Sequence, residues 1–111
     1  FEMSQLTEKK CLPCEGGVLP LSADEVSHLL NELKQWHVAE DHKTITKSFR
    51  FGNYYETMAF VNAIAWLSHM ENHHPDLVVC YNRCDVSYTT HAIDGLSNND
   101  FICAAKVDAI R

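Results

Sequence analysis

The sequence predicts an α+β domain in the order α-β-β-α-β-β-α, with helices packed on one face of a four-stranded antiparallel sheet. Three observations lead there. First, three segments open with related helix-start signatures: Ser22 with Glu25, Asn53 with Glu56, and Ser97 with Asp100. At that spacing a short polar side chain and an acidic one can satisfy the orphan amides of a first turn. Second, the two intervals between these starts show strand-like alternation or Val-rich runs rather than a helical period. Third, each interval holds one plausible turn, so each folds into a hairpin, and two hairpins with three helices make a layered domain.

The first helix is expected from about Ala23 to Lys34, with Val26, Leu29, Leu30 and Leu33 at i, i+3, i+4 and i+7. Trp36 and Val38 alternate with polar residues, Asp41-His42 forms a turn, and Ile45, Phe49 and Phe51 share a face of the returning strand. The second helix, from about Tyr54 to Asn72, is apolar nearly all round, which predicts that it is covered on more than one side. Leu77 to Tyr81 forms the third strand, Asn82-Arg83 the turn, and Asp85 to His91 the fourth, with Val86, Tyr88 and Thr90 facing one way. The third helix runs from about Asn98 to Ile110, with Phe101, Ala104, Ala105 and Val107 inward. Residues 4–21, with Cys, Pro and Gly16-Gly17, read as an irregular N-terminal segment of one domain spanning 4–111. Phe1-Glu2 precede Met3 and read as a cloning remnant.

A length of 111 residues fits one domain, and 46% hydrophobic residues can bury a core. So short a chain is helped by oligomerisation. The net charge is −6, and no basic run exceeds Lys9-Lys10, so a nucleic-acid surface is not expected. Neither a membrane span nor a signal peptide is visible. Five cysteines, an odd number without framework spacing, read as reduced thiols in the cytoplasm. Cys11-x-x-Cys14 lacks the second pair of a structural zinc site and the βαβ context of a redox motif. No P-loop, GxGxxG or GxSxG is present.

Seven histidines are many for this length, and their placement is informative. His69, His73 and His74 fall at the end of the second helix, with His69 and His73 on one face if the helix reaches that far. Pro75 pushes His74 towards extended geometry, so the two adjacent imidazoles diverge. His91 ends the fourth strand, at the same end of the sheet as the start of the third, which places it near His73 and His74. The competing readings are a solvated helix end whose histidines complement the dipole and a metal site. The latter lacks a carboxylate or cysteine at an obvious supporting position. Asp100 reads as a capping residue, given its offset from Ser97.

One pattern joins these residues. His69, then His73-His74-Pro75, Tyr81, His91, Gly95-Leu96-Ser97 and Asp100 resemble the pterin-4a-carbinolamine dehydratase signature. Trp36, Phe49-x-Phe51 and the alanine-rich second helix extend the match over about residues 22–110, and the N-terminal segment with Cys11 and Cys14 resembles the bacterial branch. His69 stands where many members have an acidic residue, and Asn72 where others carry Asp. The resemblance implies a 4a-hydroxytetrahydropterin dehydratase that expels the C4a hydroxyl as water, giving the quinonoid dihydropterin after an aromatic amino acid hydroxylase has acted. It implies His73, His74 and His91 as catalytic residues. His73 and His91 would be acids at the departing hydroxyl, and His74 would position the pterin or serve as base. His69, Asn72, Thr89 and Thr90 would contact substrate. It also implies a homodimer or homotetramer, with neither metal nor organic cofactor. Animal members of the family also act as dimerisation cofactors for a transcription factor, so a non-enzymatic binding module is the alternative.

Overall fold

A computed structural model describes residues 5–12 and 19–110. Phe1-Glu2, Met3, Cys14 and the Gly16-Gly17 pair lie outside the described residues, so the structure places only Cys11 of the CxxC pair. A short 3-10 turn at Gln5–Glu8 precedes helix α1 (Ala23–Leu30), strands β1 (His37–Val38) and β2 (Ile45–Arg50), and helix α2 (Tyr54–Glu71). Strands β3 (Asp76–Val79) and β4 (Arg83–Tyr88), a second 3-10 turn (His91–Ile93) and helix α3 (Asn98–Ile110) complete the chain. The strands form one antiparallel sheet in the order β1-β2-β4-β3. The predicted element order and sheet are therefore present.

Register explains which face of the sheet is covered. Ile45 lies opposite Tyr88 and Phe49 opposite Cys84, with Val86 between them on β4, and all five are buried. Their neighbours point to the other face, where Thr46 meets the Ser87 hydroxyl at 3.0 Å and Ser48 donates to Asp85 at 2.6 Å. The period-two alternation thus puts the apolar set under the helices and the polar set outside. Phe60 of α2 packs 4.7 Å from Phe49 and 5.0 Å from Phe51, ring centre to ring centre. Trp36 meets Phe49 edge-on at 6.2 Å, while its indole N–H donates to the Asp108 carboxylate, which also holds Lys47. The buried tryptophan thereby keeps a partner for its polar edge.

The helix starts follow the sequence closely. Ser22 and Glu25 form a reciprocal capping box. Asn53 accepts from the Glu56 amide, and Glu56 reaches back to the Gly52 amide rather than to Asn53. The helix ends differ more. Helix α1 stops at Leu30, not Lys34, because Glu32 and Leu33 donate to carbonyls three residues back and Gln35 adopts φ 64°. Leu33 stays buried, so the helical period continued after the helix itself had ended. Strand β3 starts at Asp76 and ends at Val79, and Cys80 donates to the Arg83 carbonyl across the turn. Strand β4 ends at Tyr88, where the chain turns off towards His91.

Among the described residues, helix α2 is not covered on several sides. Tyr55 and Trp66 remain 81% and 64% exposed, and Met70 is exposed beside them. The surrounded helix is α3, where Asn99 through Ala105 and Val107 are all buried. A chain of this size has enough mass to enclose one helix, and the small side chains of Ala104 and Ala105 suit α3 to that place.

Candidate active site

The residues of interest gather where α2, β4 and the start of α3 meet. Helix α2 ends on Asn72, whose left-handed backbone (φ 53°, ψ 41°) lets its own amide and that of His73 donate to the Ser68 carbonyl. Asparagine tolerates this conformation better than most residues. The helix therefore ends before His73, and His69 and His73 do not share a helical face. Pro75 keeps His74 extended, and β3 begins at Asp76. From the far end of β4, Thr89 and Thr90 lead into the turn that starts at His91.

That loop is held in shape by a short internal pairing. Thr90 and Gly95 exchange backbone hydrogen bonds across it. Gly95 is buried against Pro20, whose Cβ would lie 2.6 Å from any Cβ at position 95, so a side chain there would displace one segment or the other. Leu21 donates to the Leu96 carbonyl alongside.

A cleft of about 380 Å³ lies at this junction, and Asn72, His73, His74, Thr89, Thr90 and His91 all line it. His74 and His91 are exposed, His73 is half-buried and Thr90 is buried. His69 is not among the lining residues. It sits on the exposed side of α2, its ring 5.4 Å from that of Trp66. Thr89 donates its hydroxyl to the Lys43 carbonyl, which fixes the loop to the first hairpin.

Beneath His73 lies a buried polar network. The Asp100 carboxylate is fully enclosed. One oxygen is 2.7 Å from His73 Nε2, while the other accepts from the Thr90 hydroxyl at 2.7 Å and the Ser97 amide at 3.0 Å. A carboxylate only accepts, so Nε2 carries the hydrogen of the His73–Asp100 bond. Thr90 has spent its one hydrogen on Asp100, so Ser97 donates in the 2.8 Å contact between the two hydroxyls. The Tyr88 ring stacks on the His73 imidazole, centroids 5.7 Å apart and planes 11° from parallel. Burial pushes the Tyr88 phenol far above its ordinary value, and its hydroxyl lies near Cys103 without a hydrogen bond of good geometry.

Asp100 thus does more than cap. The Ser97–Asp100 pair forms half of a capping box, through the Ser97 amide, while the Ser97 hydroxyl turns to Thr90 instead of the Asp100 amide. The opposite wall has little local signal in the sequence. Cys11, Leu12, Glu71 and Asn99 also line the cleft. Glu71 accepts from the Cys11 amide and from Lys106, while Asn99 pairs with both backbone groups of Leu12. Burial works against the Glu71 charge, but the Cys11 amide and Lys106 outweigh it and hold the carboxyl below its ordinary value. Only the adjacency of Glu71 to Asn72 could have pointed to it. Nothing local points to Cys11. Among the described residues, no three His, Cys, Asp or Glu side chains converge as a metal-holding group.

The fold matches one class of protein, the small α+β pterin dehydratases. The family model described as pterin 4 alpha carbinolamine dehydratase matches residues 19–110. Two bacterial relatives have names that assign them provisionally to pterin-4-alpha-carbinolamine dehydratase. That of Nitrosomonas eutropha is 60% identical over 95% of this chain and 92% of its own. That of Legionella pneumophila (strain Lens) is 53% identical over 96% of each. A crystal structure of a transcriptional coactivator/pterin dehydratase from Brucella melitensis superposes with a TM-score of 0.79 at 31% identity, covering 82% of this chain and 97% of that one. A pterin dehydratase-like protein identified as a RuBisCO assembly factor in the alpha-carboxysome gives 0.60 at 26% identity, covering 68% and 88%. This chain belongs to the pterin 4 alpha carbinolamine dehydratase family.

Proposed function

We propose that this protein is a hydro-lyase that removes water from 4a-hydroxytetrahydrobiopterin, returning the quinonoid dihydropterin for reduction after an aromatic amino acid hydroxylase has used the cofactor. The observation that carries this reading is one cleft bordered by His73, His74 and His91, with His73 braced from beneath by the buried Asp100. The reaction needs a proton delivered to a poor leaving group at C4a and a proton lost from N5. Imidazoles titrate near neutrality and can serve both ends. The N5 electron pair expels the hydroxyl, so the substrate supplies the electrons and the elimination requires no metal or organic cofactor.

Within this reading His73 and His91 protonate the departing hydroxyl, and His74 positions the pterin or takes the N5 proton. With Nε2 committed to Asp100, Nδ1 is the His73 nitrogen that can exchange a proton with a ligand. Thr89, Thr90 and Asn72 border the space a flat ring would fill, whereas His69 lies too far round α2 to line it. The test is dehydration of enzymatically generated 4a-hydroxytetrahydropterin, with and without prior treatment by a strong chelator. Catalysis in both arms is expected. No rate above the protein-free reaction would sink the assignment, and loss restored by zinc would sink the metal-free mechanism.

The protein acts in this reading as a homodimer or homotetramer in the cytoplasm. Tyr55, Trp66 and Met70 leave an apolar stripe on α2 that the other described residues do not cover, and burying such side chains is worth about 1.5–3 kcal/mol each. Among the described residues no helix is long and apolar enough to cross a membrane. Light scattering at micromolar concentration should return a multiple of 12.6 kDa; a monomer alone would count decisively against the assembly. The same exposed stripe is what favours the alternative of a non-enzymatic binding module, and the dehydration assay separates the two.

A further inference from the structure

Two thiols from opposite ends of the chain meet beside the cleft. Cys11 and Cys103 are 92 residues apart in sequence, and their sulfurs lie 3.4 Å apart. Both are free. Cys11 is half-buried and lines the cleft, whereas Cys103 is wholly enclosed within α3. The contact is not an accident of a loose terminus. The Cys11 amide is tied to Glu71 at 2.9 Å, and the next residue, Leu12, is held at both its N–H and its C=O by the Asn99 side chain. Leu6, just upstream, is buried in the main core. The segment is therefore strapped across the ends of α2 and α3, with its cysteine delivered onto a thiol in the helix.

We infer that Cys11 and Cys103 form a reversible oxidation site, closing a disulfide that locks the N-terminal strap and its wall of the cleft onto α3. The sulfurs need to approach by little more than 1 Å to reach the roughly 2.05 Å of a disulfide. The strap belongs to a coil rather than to a helix or strand, so Cys11 is the partner that moves. The oxidant is a hydroperoxide. The more accessible thiol, Cys11, reacts first as its thiolate. Its sulfur takes the distal oxygen of hydrogen peroxide, the O–O bond breaks, and hydroxide leaves, giving a sulfenic acid. Cys103 sulfur then attacks the Cys11 sulfur, the S–O bond breaks, and the departing hydroxide carries off the Cys103 proton as water. Overall two thiols lose two hydrogens and peroxide becomes two waters. A thiol reductant reverses the change by exchange.

The division of labour between the two sulfurs has a physical basis. Cys11 directs its S–H to the Asn99 carbonyl at 3.7 Å, which leaves Cys103 as donor in the contact between the thiols. That hydrogen bond, together with burial, pushes the Cys103 thiol far above the ordinary cysteine range. Cys103 is then inert by itself and resolves an oxidised partner only when that partner is already in contact.

The test uses the full, reduced chain. It is exposed to stoichiometric hydrogen peroxide, alkylated and digested, and the peptides are identified by mass spectrometry. The expected product links the Cys11 peptide to the Cys103 peptide within one chain, with two hydrogens lost and restored by dithiothreitol. Closing so long a loop should raise the melting midpoint by on the order of 10 °C. Cys11→Ser, which keeps a small hydrogen-bonding group at this half-buried position, should lose both the link and the rise; Cys103→Ala is the reciprocal control. A Cys11–Cys14 link, a link between chains, a stable sulfinic acid at Cys11, or a correct link without any rise in melting would each overturn the inference.

Discussion

Asp100→Asn should leave a folded protein whose turnover has fallen by about 10²–10⁴-fold, the usual range for disabling acid–base machinery. The reasoning is geometric. Two donors, the Thr90 hydroxyl and the Ser97 amide, converge on one Asp100 oxygen. An asparagine must place its carbonyl there, which turns its NH₂ towards His73 Nε2. That nitrogen must then accept instead of donate, and the ring hydrogen moves to Nδ1. Nδ1 would still face the cleft, but its hydrogen would belong to a neutral imidazole, which cannot give it to the departing hydroxyl as an imidazolium can, while the ring's position is almost unchanged. Asp100→Ala is a poorer probe, since it strands three donors in a buried site at about 1–3 kcal/mol each. Turnover, KM and melting are measured together with the nitrogen chemical shifts of His73, which report its tautomer. A purely structural carboxylate would leave that signature alone. Folded Asp100→Asn with wild-type turnover and an unchanged tautomer would remove Asp100 from its positioning role.

The difference between what was legible in the sequence and what was not follows the range of the interactions involved. The capping box at Ser22 and Glu25, the turn at Pro75 and the inward set Val86 and Tyr88 are decided by residues within a few positions of one another. Local sterics and period-two alternation are therefore enough to read them. The two hairpins follow from those local rules, and with them the meeting of His73, His74 and His91 at one end of the sheet. Helix α1 shows the limit: Leu33 continues the period, but the left-handed Gln35 carries no distinctive residue type to announce that the helix has already ended. The near neighbour Ser97 marks Asp100 as a capping residue, yet a carboxylate accepts several hydrogen bonds. Its decisive partner, His73, lies 27 residues away. The wall made by Cys11, Leu12, Glu71 and Asn99 is wholly non-local, because its pairings join residues 60 and more than 80 positions apart. A buried Glu71 looks improbable until Lys106 and the Cys11 amide are seen to satisfy it. Helix α2 gave the opposite difficulty. Its all-round apolarity calls for cover that the described residues do not provide.

The three histidines should separate by role when they are replaced one at a time. His73→Gln is the informative change at the first position, because a glutamine amide can still donate to Asp100 but cannot relay a proton. His73→Ala would leave the buried carboxylate short of a donor and would mix stability with chemistry. His91 is exposed on its short turn and, among the described residues, makes no comparable buried contact, so His91→Ala is clean. Each of these two changes should lower kcat by at least about 10²-fold with little effect on KM, as expected for groups that act on the departing hydroxyl. His74, extended and exposed beside Pro75, should respond differently. His74→Ala is expected to raise KM at least as much as it lowers kcat. The double variant His73→Gln/His91→Ala should approach the protein-free rate, and its loss need not equal the product of the single losses, because groups working on one proton transfer are not independent. Initial rates against pterin concentration give both constants, and melting curves control for folding. If all three single variants fold and retain wild-type kcat and KM, the imidazoles at this cleft are bystanders and the dehydratase reading falls with them.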